Sequence, residues 1–198
     1  MRAIPTALVP LAAAVLYTLA PFPTTSQDPQ PAKAPAAAPK ADPADTASIE
    51  AITAALYDVI SGPAGQARDW DRMRSLFHPD ARLVPMQKGR DGGMRARVMT
   101  PEDYIRTSGP FLETNGFFEQ EIARRVDAFG DVAHVFSTYE GRKAAGDAEP
   151  FLRGINSIQL VRQQDRWWVL QILWEQEHDA GPIPQRYLPG QERERAGK

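Results

Sequence analysis

The amino-acid sequence predicts an α+β domain in which about three N-terminal helices are wrapped by a curved antiparallel sheet. Three observations predict it. Apolar residues recur at helical spacing between Ile49 and Phe77, strand-like runs take over from Phe117, and turn residues divide those runs into four. Helices that precede a meander pack on one face of the sheet it forms. At 198 residues, 42% hydrophobic, the chain has enough apolar sequence for one such core and its flanking segments but not for a second domain.

The chain starts with Arg2 before an uncharged stretch, residues 3–27, centred on the apolar run from Ala7 to Leu16. That is the pattern of a signal peptide cut near Ala20 or Ser26, so the expectation is export to a periplasm or the exterior. The alternative is an uncleaved membrane anchor, a reading that Pro5, Pro10, Pro21 and Pro23 weaken. Residues 28–45 are mostly Pro, Ala, Lys and Asp and read as a disordered linker. The domain is then 46–177, with an extended tail over 178–198.

Within the domain, Ile49, Ile52, Leu56, Val59 and Ile60 mark a first helix that stops at Ser61-Gly62-Pro63. A second, opening at Asp69-Trp70-Asp71, buries Met73, Leu76 and Phe77 and stops at His78-Pro79-Asp80. Ala81 to Met86 reads as a strand, and the Gly- and Arg-rich segment 87–97 as a loop or hairpin tip. Thr100-Pro101-Glu102-Asp103 opens a third helix with an N-cap, a proline at the first position and an acidic first turn. Gly109-Pro110 and Asn115-Gly116 punctuate its end. Strands follow over 117–128, 132–141, 151–162 and 166–177.

Three local patterns resemble the nuclear transport factor 2-like, or SnoaL-like, superfamily. They are the run from Tyr57-Asp58 through Arg68-Asp69-Trp70-Asp71 to His78-Pro79-Asp80-Ala81, the Gly130-Asp131-Val132-Ala133 start of a strand, and the closing Trp168-Val169-Leu170-Gln171-Ile172-Leu173-Trp174. The resemblance implies a conical cavity between helices and sheet, and a homodimer through the convex face. The superfamily includes isomerases, dehydratases, cyclases and epoxide hydrolases as well as transport factors and noncatalytic binders, so it supplies a place and not a reaction.

Strand alternation selects the residues that face this cone. Trp168, Leu170, Ile172 and Trp174 form the buried set of the last strand, leaving Trp167, Gln171 and Glu175 outside. Gly154, Asn156, Ile158 and Leu160 share a face, and the resemblance turns Ala133, Val135, Ser137 and Tyr139 inward. The ligand-binding candidates are therefore Tyr57, Trp70, Tyr104, Tyr139, Asn156 and Trp174, with Arg153 at the rim to hold a ligand carboxylate. A core-aromatic role competes with the ligand role for each ring.

Catalytic signals are thinner. The carboxylate base of the related ketosteroid isomerases would fall on the strand after Leu76-Phe77, where this chain has Leu83-Val84-Pro85-Met86 and proline accepts no proton. His134 points outward by parity, and Glu119 and Glu121, near Arg124 and Arg125, read as a solvated ion-pair surface. With no cysteine and three scattered histidines, no metal site is expected, and no phosphate loop or dinucleotide fingerprint implies a cofactor. A pI near 5.9 argues against a nucleic-acid partner. The leading expectation is a noncatalytic binder of a small hydrophobic molecule. The alternatives are an isomerase or dehydratase using Tyr57 or Tyr139 with an unidentified base, and a protein-interaction module on the convex face. Ile183, Tyr187 and Leu188 of the tail are expected to dock on the cone or a dimer seam.

Overall fold

The computed structural model describes residues 39–190. The segment expected to be a signal peptide or anchor, the expected linker as far as residue 38 and the last eight residues lie outside them. The order is α1 (Pro43–Thr46), α2 (Ile49–Ile60), α3 (Trp70–Leu76), β1 (Phe77–Lys88), β2 (Met94–Ala96), α4 (Pro101–Thr114), β3 (Phe118–Phe129), β4 (Val132–Arg142), β5 (Leu152–Gln163), β6 (Arg166–Gln176), α5 (Glu177–Ala180) and a 3₁₀ turn, Gln185–Tyr187. The α+β expectation holds, with helices ahead of a curved sheet. β3 to β6 form the antiparallel meander, but β1 returns beside β6 in parallel, so the six-stranded sheet is mixed, in the order β2-β1-β6-β5-β4-β3.

Caps set the helix starts. Ser48, Asp69 and Thr100 each accept a backbone N–H of the first turn, and Thr100 and Asp103 complete a reciprocal capping box. Helical order begins inside the segment read as linker. Asp42 caps α1, Pro43 sits at its first position, and Asp45 pairs with Arg72 of α3 at 2.8 Å. The core joins Ile52, Leu56 and Val59 of α2 and Met73 and Leu76 of α3 to Val135, Ile158, Leu160 and Val169 of the sheet.

Two expectations about these elements fail. Gly109-Pro110 does not end α4, which runs on to Thr114 and buries Leu112. Proline removes one helical hydrogen bond, yet the helix resumes with Asn115 N–H donating to Phe111 O at 2.9 Å. Gly109 is there for packing, since a Cβ would stand 3.2 Å from the Trp70 ring. In β6 the register slips between the pairs Gln159↔Gln171 and Leu160↔Val169, leaving Leu170 as an extra residue. The bulge reverses parity. Trp167 and Val169 are buried while Trp168 lies outside under the Arg166 guanidinium, 3.5 Å from its ring centroid.

Candidate functional site

The end of α2 and the start of β3 are tied together, and that junction builds the site. Gly62 and Phe117 exchange two backbone hydrogen bonds, and Ser61 Oγ donates to Tyr57 O at 2.7 Å while accepting from Glu119 N–H at 3.0 Å. The side chains of Tyr57 and Glu119 are thereby aimed into one cavity of about 720 Å³ between α2, α4 and the inner sheet face. Most of its wall is apolar, with Leu56, Leu83, Phe117, Ile158, Ile172 and Trp174 prominent. The half-exposed rings of Phe111 and Phe151 stand at its mouth.

Besides Ser108, Arg153, Gln176, Glu177 and His178, five polar side chains line the cavity: Tyr57, Tyr104, Glu119, Tyr139 and Asn156. Two of them, Asn156 and Tyr57, belong to a chain of hydrogen bonds that runs in one direction. Asn156 Nδ2 donates to Tyr57 Oη at 3.0 Å, Tyr57 Oη lies 2.7 Å from Ser137 Oγ, and Ser137 Oγ donates to Glu121. Serine has one proton, so once Glu121 receives it the Tyr57 proton must point to Ser137. Tyr57 is therefore not free to donate to a guest. Tyr104 and Tyr139 differ, because neither hydroxyl has a hydrogen-bond partner among the described residues. Their rings are fixed, Tyr104 edge-on to Trp174 with centroids 6.3 Å apart and Tyr139 opposite Gly154, where a Cβ would overlap its hydroxyl.

Glu119 is the residue that sequence reasoning misplaced. Its carboxyl lies in the apolar cavity with no cation bonded to it among the described residues, and burial pushes it up from 4.5 to about 8, the Asn156 amide working against the shift. The same burial, with the Glu119 charge nearby, raises the Tyr104 and Tyr139 hydroxyls well above the ordinary 10. The signal was present in the strand pairing. Glu119 and Glu121 lie opposite Gly141 and Tyr139 of β4, and directly paired residues share a sheet face, so an inward Tyr139 carries both carboxylates inward. A bulge at Ile122 then brings Arg124 to that face as well, where it binds Glu121 at 2.6 Å and leaves Glu119 without a partner charge.

The other candidates divide. Tyr57, Tyr104, Tyr139, Asn156 and Trp174 all line the cavity. Trp70 does not reach it, because at the head of α3 it packs under Gly109 of α4. Arg153 stands at the mouth but is held in a fork by Glu177 at 2.8 and 3.0 Å, which already satisfies the edge a ligand carboxylate would use. Pro85 is buried outside the wall, and Leu83 fills the place where a base was sought. His134 faces outward as expected, 3.0 Å from Ser157 Oγ. No group of three His, Asp or Glu among the described residues could hold a metal ion.

Helices closing one side of a curved sheet over an apolar cavity define the class, a nuclear transport factor 2-like cone. No protein-family model and no curated protein matches the chain. Among solved structures it is similar to a protein of unknown function with a cystatin-like fold from Nostoc punctiforme, at 13% identity over 65% of this chain and 87% of that one, TM-score 0.49. A candidate dehydratase of the nuclear transport factor 2-like family from Streptomyces avermitilis aligns at 15% identity over 65% and 92%, TM-score 0.48. A nuclear transport factor 2-like protein of unknown function from Methylobacillus flagellatus aligns at 14% over 65% and 94%, TM-score 0.43. At such identities no residue's role transfers.

Proposed function

We propose that the domain binds a small, mainly apolar carbonyl compound in the cone and moves a proton on it, Glu119 acting as the acid–base. The observation that carries this reading is a carboxyl in an apolar cavity with no partner cation among the described residues, and beside it two tyrosine hydroxyls with no hydrogen-bond partner among those residues. A carboxyl that titrates near 8 is present in both forms close to neutral pH, the condition for taking a proton and returning it. Tyr104 and Tyr139 supply the donors that negative charge developing on a carbonyl oxygen requires. Isomerisation of an enone and dehydration of a β-hydroxy ketone both begin with loss of the proton beside the carbonyl, so both fall within this reading. Pro85 removes the base from β1, and Glu119 of β3 takes that role.

The test is carbon–deuterium exchange. The domain is incubated in D₂O with a panel of cyclic enones and hydroxy ketones, and label uptake is followed by mass spectrometry. At least one compound should exchange, and Glu119→Gln should slow that exchange by roughly 100-fold or more. Absence of exchange across the panel, or exchange that Glu119→Gln leaves intact, would sink the proposal. The apolar wall also supports a binding-only reading, for which guests would be retained equally by both proteins without any exchange.

A further inference from the structure

Tyr57 and Glu119 border not one cavity but two. The second, about 520 Å³, lies between α2 and the β3–β4 edge and shares only these two residues with the first. Its character is the opposite: Asp58, Gln120, Glu121, Arg124 and Arg142 contribute to its wall, and the exposed residues Ala54 and Ala145 form part of its edge. The two arginines are neutralised in place, Arg124 by Glu121 and Arg142 by Glu140, each at 2.6 Å. A polar space of this size accommodates several water molecules with partners for each.

We infer that this polar cavity is the path along which Glu119 exchanges protons with bulk water while the apolar cone holds its occupant. The inference rests on the acid–base role proposed above for Glu119. A guest in the cone covers the carboxyl on that side and separates it from Arg153, Glu177 and His178, the ionisable side chains that also line the cone. On the other side the carboxyl borders a polar space. There its O–H bond breaks, the proton passes to a water of the polar cavity and the carboxylate remains. The reverse transfer reloads it. The Asn156–Tyr57–Ser137–Glu121 chain is not this path, because it starts at an amide that donates hydrogen bonds without releasing protons.

The experiment follows the carboxylic-acid C=O stretch of Glu119 by rapid-mixing infrared spectroscopy on transfer from H₂O to D₂O at pH 6.5, the band being assigned by its loss in Glu119→Gln. The cone is filled with camphor, decane or naphthalene, and occupancy is scored by Trp174 fluorescence. The polar cavity is narrowed separately by Ala54→Trp on α2 and by Ala145→Trp on the β4–β5 connection, neither of which lines the cone. Filling the cone should leave exchange in the unsubstituted protein within about threefold of the empty rate. With the cone filled, either tryptophan should slow it at least tenfold. Exchange that stops when the cone alone is filled, or that neither tryptophan slows, overturns the route while leaving the acid–base role standing. Absence of the Glu119 band removes both that role and the route. A cone that takes none of the three probes is not the receptacle the inference requires and refutes it too.

Discussion

Replacing Glu119 by glutamine should change the pH dependence of stability in a direction opposite to that of most carboxylate substitutions. A carboxyl raised from 4.5 to about 8 binds its proton more tightly in the folded state than in the unfolded one. Between those two values the folded protein holds more protons, so stability falls as pH rises through the window. Below 4.5 both states are protonated and the burden vanishes. About 3.5 pH units at 1.36 kcal/mol each set an upper bound near 5 kcal/mol, and relaxation and water entry reduce it to roughly 2–4. Glutamine keeps the shape and the Asn156 neighbour but never ionises. Wild type and Glu119→Gln should therefore melt together near pH 4.5, separate steadily up to about pH 8 and hold a constant difference above it. At about 2–4 °C per kcal/mol for a domain of this size, the variant should end roughly 4–16 °C higher. Calorimetry or fluorescence melts at half-unit pH steps measure this directly. A constant offset from pH 5 to 9, or a variant that becomes the less stable one at high pH, would refute a neutral buried Glu119.

Other substitutions test the remaining assignments. Tyr139→Phe should lower turnover of any substrate found by deuterium exchange by roughly 10²-fold, whereas Tyr57→Phe should lower it less than about tenfold because its proton is engaged by Ser137; equal losses in steady-state kcat would contradict the hydrogen-bond direction. Arg68 donates to the carbonyls of Ile60, Gly62 and Leu112 at 2.7–2.9 Å, joining the ends of α2 and α4, so Arg68→Met should cost about 3 kcal/mol in urea unfolding and Arg68→Lys should recover little of it. Tyr187 lies against Phe136 with ring centroids 4.9 Å apart and its carbonyl accepts from Thr138 Oγ1 at 2.7 Å, so removing residues 181–198 should lower the melting temperature by roughly 4–8 °C; an unchanged melt would show that the tail contributes no packing.

How much of this was legible follows from which signals are local. Caps and helical periods are local, and α2, α3 and the start of α4 stand where Ser48, Asp69 and Thr100 place them. Alternation is legible only while the register is unbroken: it grouped Ser137 with Tyr139 and Asn156 with Ile158, the family resemblance turning the first pair inward, but it failed in β6, where the extra Leu170 reverses every side chain before it. Docking of the tail was legible from Ile183 and Tyr187, and the outer face of β3–β4 as the place for Tyr187 was not, because long-range packing leaves no periodic trace. Glu119 was hidden by composition. A glutamate two positions before another and close to arginines has the pattern of a solvated surface, and only its pairing with Gly141 identifies its face.

Glu119 and Glu121 show how a bulge divides the labour of two like residues. Without the bulge, with Ile122 paired as a regular strand residue, Glu121 and Arg124 would lie on opposite faces of β3 and both carboxylates would stand unpaired in one space, where their mutual repulsion would favour an ionisation shared between them. With it, Arg124 turns inward and binds Glu121, and the Ser137 hydroxyl adds a second bond, so that carboxylate is held in place as a structural anion. Its hydrogen bond fixes Ser137, Ser137 takes the Tyr57 proton, and Tyr57 in turn orients the Asn156 amide with its N–H groups toward the tyrosine. Among the described residues, the Glu119 carboxyl is left facing the apolar space without a bonded charge and the Tyr104 and Tyr139 hydroxyls without a hydrogen-bond partner, while one buried Arg124 nitrogen also lacks a partner. The bulge thus makes one glutamate part of the scaffold and leaves the other with chemistry to perform.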